Sequence, residues 1–253
     1  MAPAATFEDL LTEGAGVAVE GWDFSWFSGR ATEERPPWGY ARLMAGRMAA
    51  ATVALDIGTG GGEVLAQVPH PPAVLAAAES WPPNVEIARR NLAALGASVV
   101  QVAGDGHLPF RGASFDLVVS RHPVVTDWPE IARVLTPGGT YLSQQVGAGS
   151  MRELTDAVMG PQPVGDRRRA DRAVAAATGA GLDVVDLREA RLRAVFHDTA
   201  AVVVFLRKVV WTVPDFSVER YRGALAQLHD RICSDGAFVA HAERFLIEAK
   251  KPV

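Results

Sequence analysis

The sequence predicts an α/β protein with a Rossmann-like, doubly wound sheet. Short apolar runs typical of buried strands alternate with segments of helical periodicity along residues 53–146. Three of these runs stop at an acid or at a glycine-rich turn, as strands do at the ligand-binding edge of such a sheet. We expect a seven-stranded, mostly parallel sheet with an antiparallel last strand. An N-terminal aromatic lid and a helical cap inserted before the last strand complete the predicted fold.

The composition is typical of a folded globular protein, with 49% hydrophobic and 21% charged residues in 253. A net charge of −4 provides no global basic field to attract nucleic acid or an anionic membrane. The single cysteine, Cys233, excludes an internal disulfide and a cysteine-based zinc site. The sequence shows no signal peptide and no uncharged run of the ~18–20 residues that span a bilayer. We therefore expect a cytoplasmic monomer or homodimer that binds neither nucleic acid nor membrane.

The glycine-rich stretch at residues 56–62 is the centre of the predicted ligand site. A buried strand ends at Asp56, glycines form a turn, and apolar positions from Val64 onward predict a helix. The dinucleotide spacing G-x-G-x-x-G fails in both frames, because Glu63 and Leu65 stand where its last glycine is required. A phosphate loop ending in Gly-Lys-Ser/Thr is also absent from the sequence. A different nucleotide-type ligand is therefore indicated.

The pattern that remains is D-x-G-x-G-x-G, with its glycines at 58, 60 and 62. It resembles the first motif of the class I S-adenosylmethionine-dependent methyltransferases. The sequences F-D-L-V-V-S at 115–120 and L-T-P-G-G-T-Y-L at 135–142 resemble the second half of that core. Together the matches cover about residues 53–146. This stretch is similar to the methyltransferase-11-like core of methyltransferases that act on small molecules. The resemblance implies S-adenosylmethionine as cofactor and S-adenosylhomocysteine as product.

Two acids follow the next strands of the predicted sheet. Glu79 ends the second strand, 21 residues beyond Gly58, where a carboxylate can accept two hydrogen bonds from a ribose diol. Asp105 follows the third strand, and the resemblance implies that it accepts from the adenine amine. His107 either borders the adenine or is a solvated loop histidine. The predicted cofactor-binding residues are Trp38, Tyr40, Asp56, Gly58, Thr59, Gly60, Glu79, Ser80, Asp105, Gly106, His107 and Ser120.

His122 follows the fourth strand, where the acceptor should meet the methyl group. A neutral imidazole there could act as a general base on a hydroxyl, an amine or an acidic carbon. It could equally cap the following helix. The spacing of His, Asp and Glu residues predicts no metal site. The predicted substrate-binding residues are Trp26, His122, Trp211, Phe216 and Tyr221, with core packing as the alternative for each aromatic residue.

A single methyltransferase domain is predicted over residues 1–253. Residues 1–51 form the N-terminal lid and helices, 52–147 the cofactor-binding core, and 148–253 the second half with a helical cap at about 197–236. The lid carries the aromatic cluster of residues 20–27. Its rings either face the sulfonium cation of the cofactor or cap the hydrophobic end of the sheet.

The predicted function is direct, in-line transfer of a methyl group to a small-molecule acceptor, as in a biosynthetic or secondary-metabolite pathway. Two alternatives stay open. The first is a methyltransferase that acts on RNA or protein. The acidic charge balance disfavours RNA as the substrate. A non-catalytic nucleotide-binding module is disfavoured by the intact glycine motif, although the fold alone does not decide between these functions.

Overall fold

A computed structural model describes residues 5–19 and 24–253. Positions 20–23, which belong to the predicted aromatic cluster, lie outside the described residues. The chain forms two compact units. The larger unit contains Pro36–Ala148, Asp166–Ala190 and Arg244–Val253, and the smaller unit contains the described part of Met1–Arg35 together with Gly149–Gly165 and Arg191–Glu243.

Eight α-helices and eight strands are found in the described chain. The helices are α1 (Phe7–Gly16), α2 (Tyr40–Ala50), α3 (Pro82–Leu92), α4 (Trp128–Val134), α5 (Arg152–Met159), α6 (Ala170–Gly179), α7 (Thr199–Lys208) and α8 (Val218–Asp235). The strands are β1 (Ala31–Glu33), β2 (Val53–Ile57), β3 (Val74–Glu79), β4 (Ser98–Gln101), β5 (Phe115–Arg121), β6 (Leu135–Val146), β7 (Asp183–Phe196) and β8 (Phe238–Lys250).

The larger unit is built on a mostly parallel sheet with the strand order β7-β8-β6-β5-β2-β3-β4. Parallel pairing joins β2 to β3 and β5, β3 to β4, and β5 to β6, whereas β8 is antiparallel to β6. The strand order reverses at β2, so the carboxyl ends of β2, β3, β4 and β5 meet at one edge. This arrangement confirms the predicted Rossmann-like class with an antiparallel last strand.

The sheet is covered by helices on both faces, because successive strand residues point to opposite sides. Leu55 and Val118 pack on one face in a cluster that includes residues of α4 and α6. Ala54 and Leu117, one position earlier in each strand, pack on the other face with residues of α2 and α3. The doubly wound architecture therefore follows from strands that are apolar at consecutive positions.

The segment after the glycine loop differs from the prediction. An α-helix was expected from Val64 onward, but only a 3₁₀ turn over Leu65–Gln67 forms before β3. Pro69, Pro71 and Pro72 follow this turn. Proline lacks the amide hydrogen that a helix interior needs and disfavours helical geometry in the residue before it. The α-helix prediction was therefore wrong here, and no α-helix N-terminus faces the glycine loop in this described stretch.

The strand β6 begins with an irregular segment. Residues 136–139, whose Thr-Pro-Gly-Gly sequence is typical of a turn, lie inside β6, which begins at Leu135. The register between β5 and β6 shifts between Phe115 and Leu117, and Gly138 has a φ of 76°. An irregularity of this kind lets a strand continue through residues that would otherwise end it.

The smaller unit carries α7 and α8 within the range predicted for the cap. Gly14 of α1 allows a close approach to α7, because a Cβ there would lie 2.9 Å from the Cβ of Val203. The short strand β1 pairs antiparallel with the end of β7, with Ala31 opposite Phe196, and was not predicted from the sequence. Although α7 is buried along most of its length, no helix in residues 5–19 and 24–253 is long and apolar enough to span a bilayer.

Candidate functional site

The glycine loop after β2 is hydrogen-bonded to the end of β3. The amides of Gly58 and Thr59 donate to the carbonyl oxygen of Ala78 at 2.8 and 3.1 Å. The amide of Gly60 donates to Oε2 of Glu79 at 2.7 Å. Gly58 and Gly60 have φ angles of 69° and 63°, which residues with a Cβ rarely adopt. The turn therefore requires glycine at both positions.

Two glycines of the motif serve different purposes. A Cβ at Gly58 would meet no atom within 4 Å, so the backbone there borders open space. A Cβ at Gly62 would lie 2.8 Å from Cγ of Leu92, in the packed interface with α3. Gly58 thus leaves room for close approach of a ligand, whereas Gly62 is required by the protein's own packing.

Glu79 is the most highly hydrogen-bonded of the predicted cofactor residues. Glu79 is only 7% exposed. Its carboxylate accepts hydrogen bonds from the amides of Gly60, Ser80 and Trp81 at 2.7, 2.8 and 2.9 Å. An ionised carboxylate offers about four acceptor positions. One acceptor position of the Glu79 carboxylate is therefore left for a ligand. Ser80 contributes to the site through its backbone amide, which donates to Glu79.

Asp56 is a buried acid beside the same loop. Burial, with a smaller contribution from the charge of Glu79, raises the pKa of Asp56 to about 7. The Thr59 side chain offsets part of this rise, yet Thr59 Oγ1 is buried and makes no hydrogen bond of good geometry with a described residue. Two neighbouring carboxyl groups and an unpaired hydroxyl fit a polar ligand with positive charge, so the residues present fit a sulfonium nucleoside.

The loop after β4 lies at the same edge of the sheet. Asp105 is exposed, and its Oδ1 accepts the amide of His107 at 3.0 Å. The imidazole Nδ1 of His107 lies 3.4 Å from Oε2 of Glu130. Gly106 has a φ of 102°, and a Cβ there would lie 2.9 Å from the Cβ of Asp127. Asp105 is accessible to a ligand, and its role toward adenine stays a prediction.

Ser120 and Tyr40 form hydrogen bonds within the protein. The hydroxyl of Ser120 lies 2.7 Å from the Tyr141 hydroxyl and 2.8 Å from the Ser143 hydroxyl. The Tyr40 hydroxyl donates to the Ser120 carbonyl oxygen at 2.8 Å. Tyr40 and Ser120 are both buried, and these bonds give each a structural role. Their predicted contacts with a cofactor stay predictions.

Trp38, Gln144 and His122 form a continuous hydrogen-bonded chain. Nε1 of Trp38 donates to Oε1 of Gln144 at 2.8 Å, and Nε2 of Gln144 lies 2.9 Å from Nε2 of His122. The backbone amide of His122 donates to the Gln144 carbonyl oxygen at 2.7 Å. Gln144 was not predicted as a site residue. Its only signal in the sequence is that a polar side chain occupies a buried position of a strand.

His122 occupies an unusual position after β5. Its φ of 53° lies in the left-handed region, where histidine is found more often than most residues. Burial lowers the pKa of His122 well below its usual range, and the positive charges of Arg121 and Arg244 lower it further. The imidazole is therefore neutral at physiological pH.

The predicted substrate-binding aromatic residues lie in the smaller unit. The guanidinium of Arg30 lies 4.6 Å from the centroid of the Trp26 ring. Phe216 and Tyr221 stack with their ring centroids 5.9 Å apart, and Trp211 is 41% exposed. The structure thus brings two of the four together. Contact of any of them with an acceptor stays a prediction.

The fold is shared with solved structures of low sequence identity. A Bacillus halodurans C-125 protein, provisionally assigned as a methyltransferase, is 16% identical with a TM-score of 0.61 over 85% of this chain and 100% of that chain. The YcgJ protein from Bacillus subtilis is 17% identical with a TM-score of 0.60 over 85% and 98%. The [4+2]-cyclase SpnF is 18% identical with a TM-score of 0.51 over 97% and 92%. These likenesses show the fold alone.

Among curated proteins, none matches this sequence. Residues 55–143 match a family model described as "Methyltransferase domain". The matched segment contains the glycine loop, Glu79 and Asp105, and it ends at Ser143 in β6. The predicted resemblance is thereby confirmed on the residues that carried it. Residues 55–143 therefore belong to a methyltransferase domain of the class I type, whose cofactor is S-adenosylmethionine.

Proposed function

We propose that this protein is a methyltransferase (EC 2.1.1) that acts on a small-molecule acceptor. The observation that carries the proposal is the buried carboxylate of Glu79, which holds Gly60 at 2.7 Å and retains an acceptor position beside the glycine loop. S-adenosylmethionine, when bound, supplies an electrophilic methyl group. The protein's task is then to orient the acceptor toward that methyl group, which can supply several kcal/mol of the barrier.

Three of the predicted residues are each proposed to hold one part of the cofactor. Glu79 accepts from the ribose, Asp105 accepts from the adenine amine, and the backbone at Gly58 borders the amino-acid end. Asp56 lies beside Glu79 with a pKa of about 7, and a bound cation would favour the ionised form of its carboxyl group. His122 follows β5 at the same edge of the sheet and is proposed to contact the acceptor.

The charge distribution supports a small acceptor over RNA. The net charge is −4, and two arginines of the arginine-rich stretch at residues 167–172 are paired with acids. Arg169 donates to both carboxylate oxygens of Asp171 at 3.0 and 2.7 Å, and Arg172 donates to Asp166 at 2.8 Å. Paired arginines present less positive potential to a phosphate backbone, on which RNA affinity depends. The protein is proposed to work in the cytoplasm as part of a biosynthetic pathway.

A second candidate is a reaction other than methyl transfer in the same fold. It is favoured by one observation: the fold of a [4+2]-cyclase is similar to that of this protein over 97% of this chain. A fold can host several chemistries, so this candidate must be separated from the first by experiment.

The test is transfer of an isotope-labelled methyl group from S-adenosylmethionine into three separate fractions: small metabolites, RNA and protein. Label in the small-molecule fraction alone is expected. Label in RNA or protein would overturn the choice of acceptor, and cofactor binding without any transfer would favour the second candidate.

Calorimetry with S-adenosylhomocysteine tests the cofactor site directly. Glu79→Ala should weaken binding at least tenfold, because it removes the proposed ribose acceptor and frees the Gly60 amide. Glu86→Ala, at an exposed position of α3, is the matched control and should bind like the wild type. Equal affinity of Glu79→Ala and wild type would contradict the proposed site.

A further inference from the structure

The hydrogen bond between Trp38 and Gln144 has only one possible polarity. An indole N–H donates and cannot accept, so the Gln144 atom that lies 2.8 Å from it must be the carbonyl oxygen. Trp38 and Gln144 are each only 4% exposed, which leaves little water to substitute for this bond. The orientation of the Gln144 amide is therefore fixed by a buried tryptophan.

The fixed amide determines where the proton sits on His122. The NH₂ group of Gln144 faces Nε2 of His122 at 2.9 Å, and an amide NH₂ can only donate. Nε2 must then accept, and a neutral imidazole with an accepting Nε2 carries its proton on Nδ1. Protonation of Nε2 would set two donors against each other at this distance.

The backbone holds the ring in place. The His122 amide donates to the Gln144 carbonyl oxygen at 2.7 Å, so the same residue binds both the main chain and the ring of His122. Among the residues that the structure describes, none hydrogen-bonds Nδ1 of His122. The Nδ1–H group is therefore available to a ligand.

We infer that Trp38 and Gln144 are positioning residues that hold His122 as the Nδ1–H tautomer, so that His122 donates a hydrogen bond to the acceptor instead of removing a proton from it. The tautomer follows from the contacts alone. The role toward an acceptor rests on the proposed function.

This arrangement selects a class of acceptor. With Nε2 engaged and Nδ1 protonated, the ring has no free lone pair with which to take a proton. The acceptor must therefore present an electron pair without deprotonation by His122, and the Nδ1–H donor favours an anionic oxygen, because hydrogen bonds to a charged acceptor are stronger than those to a neutral one. We assign the acceptor to ionised oxygen compounds such as carboxylates, phenolates or enolates. The oxygen's electron pair forms the new O–C bond, the S–C bond breaks with its electrons on sulfur, and no proton leaves the acceptor.

Nitrogen-15 NMR of the histidine rings tests the tautomer in the protein without ligands. The sequence has six histidines, and His122→Asn identifies the His122 signals by their loss. The expected wild-type spectrum shows Nδ1 protonated and Nε2 bare, with no change between about pH 8 and pH 5.5. A protonated Nε2, or a titration of His122 in that range, would overturn the inference.

Gln144→Glu reverses the polarity of the chain. A carboxylate still accepts from Trp38, but it presents an acceptor to His122 in place of the NH₂ donor. The His122 proton should move to Nε2, and His122 should titrate at a higher pH than in wild type. Gln227→Glu makes the same charge change at an exposed position of α8 and should leave the His122 signals unchanged. Unchanged His122 signals in Gln144→Glu would contradict the inference, and the wild-type spectrum decides the question if this variant does not fold.

Calorimetry with S-adenosylhomocysteine on the same samples separates this inference from the proposed function. Absence of binding together with an Nδ1–H tautomer would reject the function and leave the tautomer intact. Binding together with an Nε2–H tautomer would reject only the inference. Carboxylic, phenolic and amine acceptors can then be compared with labelled cofactor, and methylation of amines alone would overturn the assignment to ionised oxygen.

Discussion

The guanidinium of Arg47 in α2 binds both carboxylate oxygens of Glu248 in β8, with Nε–Oε1 and Nη2–Oε2 distances of 3.0 and 2.9 Å. Glu248 is 7% exposed, whereas the Arg47 side chain is 45% exposed. The pair connects the helix before the first parallel strand to the antiparallel last strand. Loss of the arginine alone would leave a carboxylate buried without its partner, which is costlier than loss of a surface ion pair.

Arg47→Met should therefore lower the free energy of unfolding by roughly 1–3 kcal/mol, while a double variant with Glu248→Leu should recover most of that loss. Urea denaturation of the two variants and wild type measures both effects. Arg89→Met is the control, because it removes an exposed ion pair with Glu86 and should cost about 0.5 kcal/mol or less. A double variant as unstable as Arg47→Met would contradict this account.

Asp56 should make the protein without cofactor less stable as pH rises. Its pKa of about 7 in the folded state lies above the ordinary value of 3.8, so folding favours the protonated acid. That contribution is complete below about pH 4 and is lost between about pH 4 and pH 7. Asp56→Asn should remove this loss of stability. Its free energy of unfolding at pH 8 should exceed that of wild type by roughly 2–4 kcal/mol.

Urea denaturation at about pH 4.5 and pH 8 measures the effect of Asp56. The stability difference between Asp56→Asn and wild type should be larger at pH 8. Asp230→Asn, at an exposed position of α8, should show no such pH dependence. A difference that is the same at both pH values would show that the Asp56 carboxyl is not protonated preferentially in the folded state.

Gly58→Ala and Gly62→Ala should separate ligand binding from stability. Both positions have a positive φ, so alanine costs about 1–2 kcal/mol of strain at each. Only at Gly62 does the added Cβ also collide with Leu92, at 2.8 Å. Gly62→Ala should therefore be the less stable variant in thermal unfolding. Gly58→Ala should fold but bind S-adenosylhomocysteine at least tenfold more weakly, and wild-type affinity would place the ligand elsewhere.

The strands and their ends could be predicted because burial imposes a local pattern on the sequence. A run of apolar residues that stops at Asp56 or Glu79 predicts a strand end, and parallel strands bring those ends to one edge. The missing helix after the glycine loop was also encoded locally, in Pro69, Pro71 and Pro72. The apolar positions from Val64 onward favoured a helix there, but the prolines prevented it.

The Trp38–Gln144–His122 chain could not be predicted, because it depends on tertiary pairing. Trp38 and Gln144 are 106 positions apart, and only the folding of β6 beside β5 brings Gln144 to His122. Residue type indicated that His122 could act as a base. The proton on its ring is set by its neighbours, which the sequence does not place. The same holds for Ser120, whose hydroxyl partners come from β6.

Arg133 should be required to hold the loop that carries Asp105. Its guanidinium donates hydrogen bonds to the carbonyl oxygens of Leu108 and Phe110 at 2.9 and 2.8 Å. It also pairs with Glu130, and this pairing lowers the pKa of Glu130 to about 2. Because the folded-state pKa lies below the ordinary 4.5, the stability that Glu130 contributes is complete above about pH 4.5 and is lost as pH falls toward 2. Glu130→Gln should flatten the dependence of unfolding free energy on pH in that window.

Arg133→Met should weaken cofactor binding several-fold, measured by calorimetry, because it removes the hydrogen bonds that hold the loop after Asp105. Unchanged affinity would show that the loop keeps its position without the Arg133 hydrogen bonds.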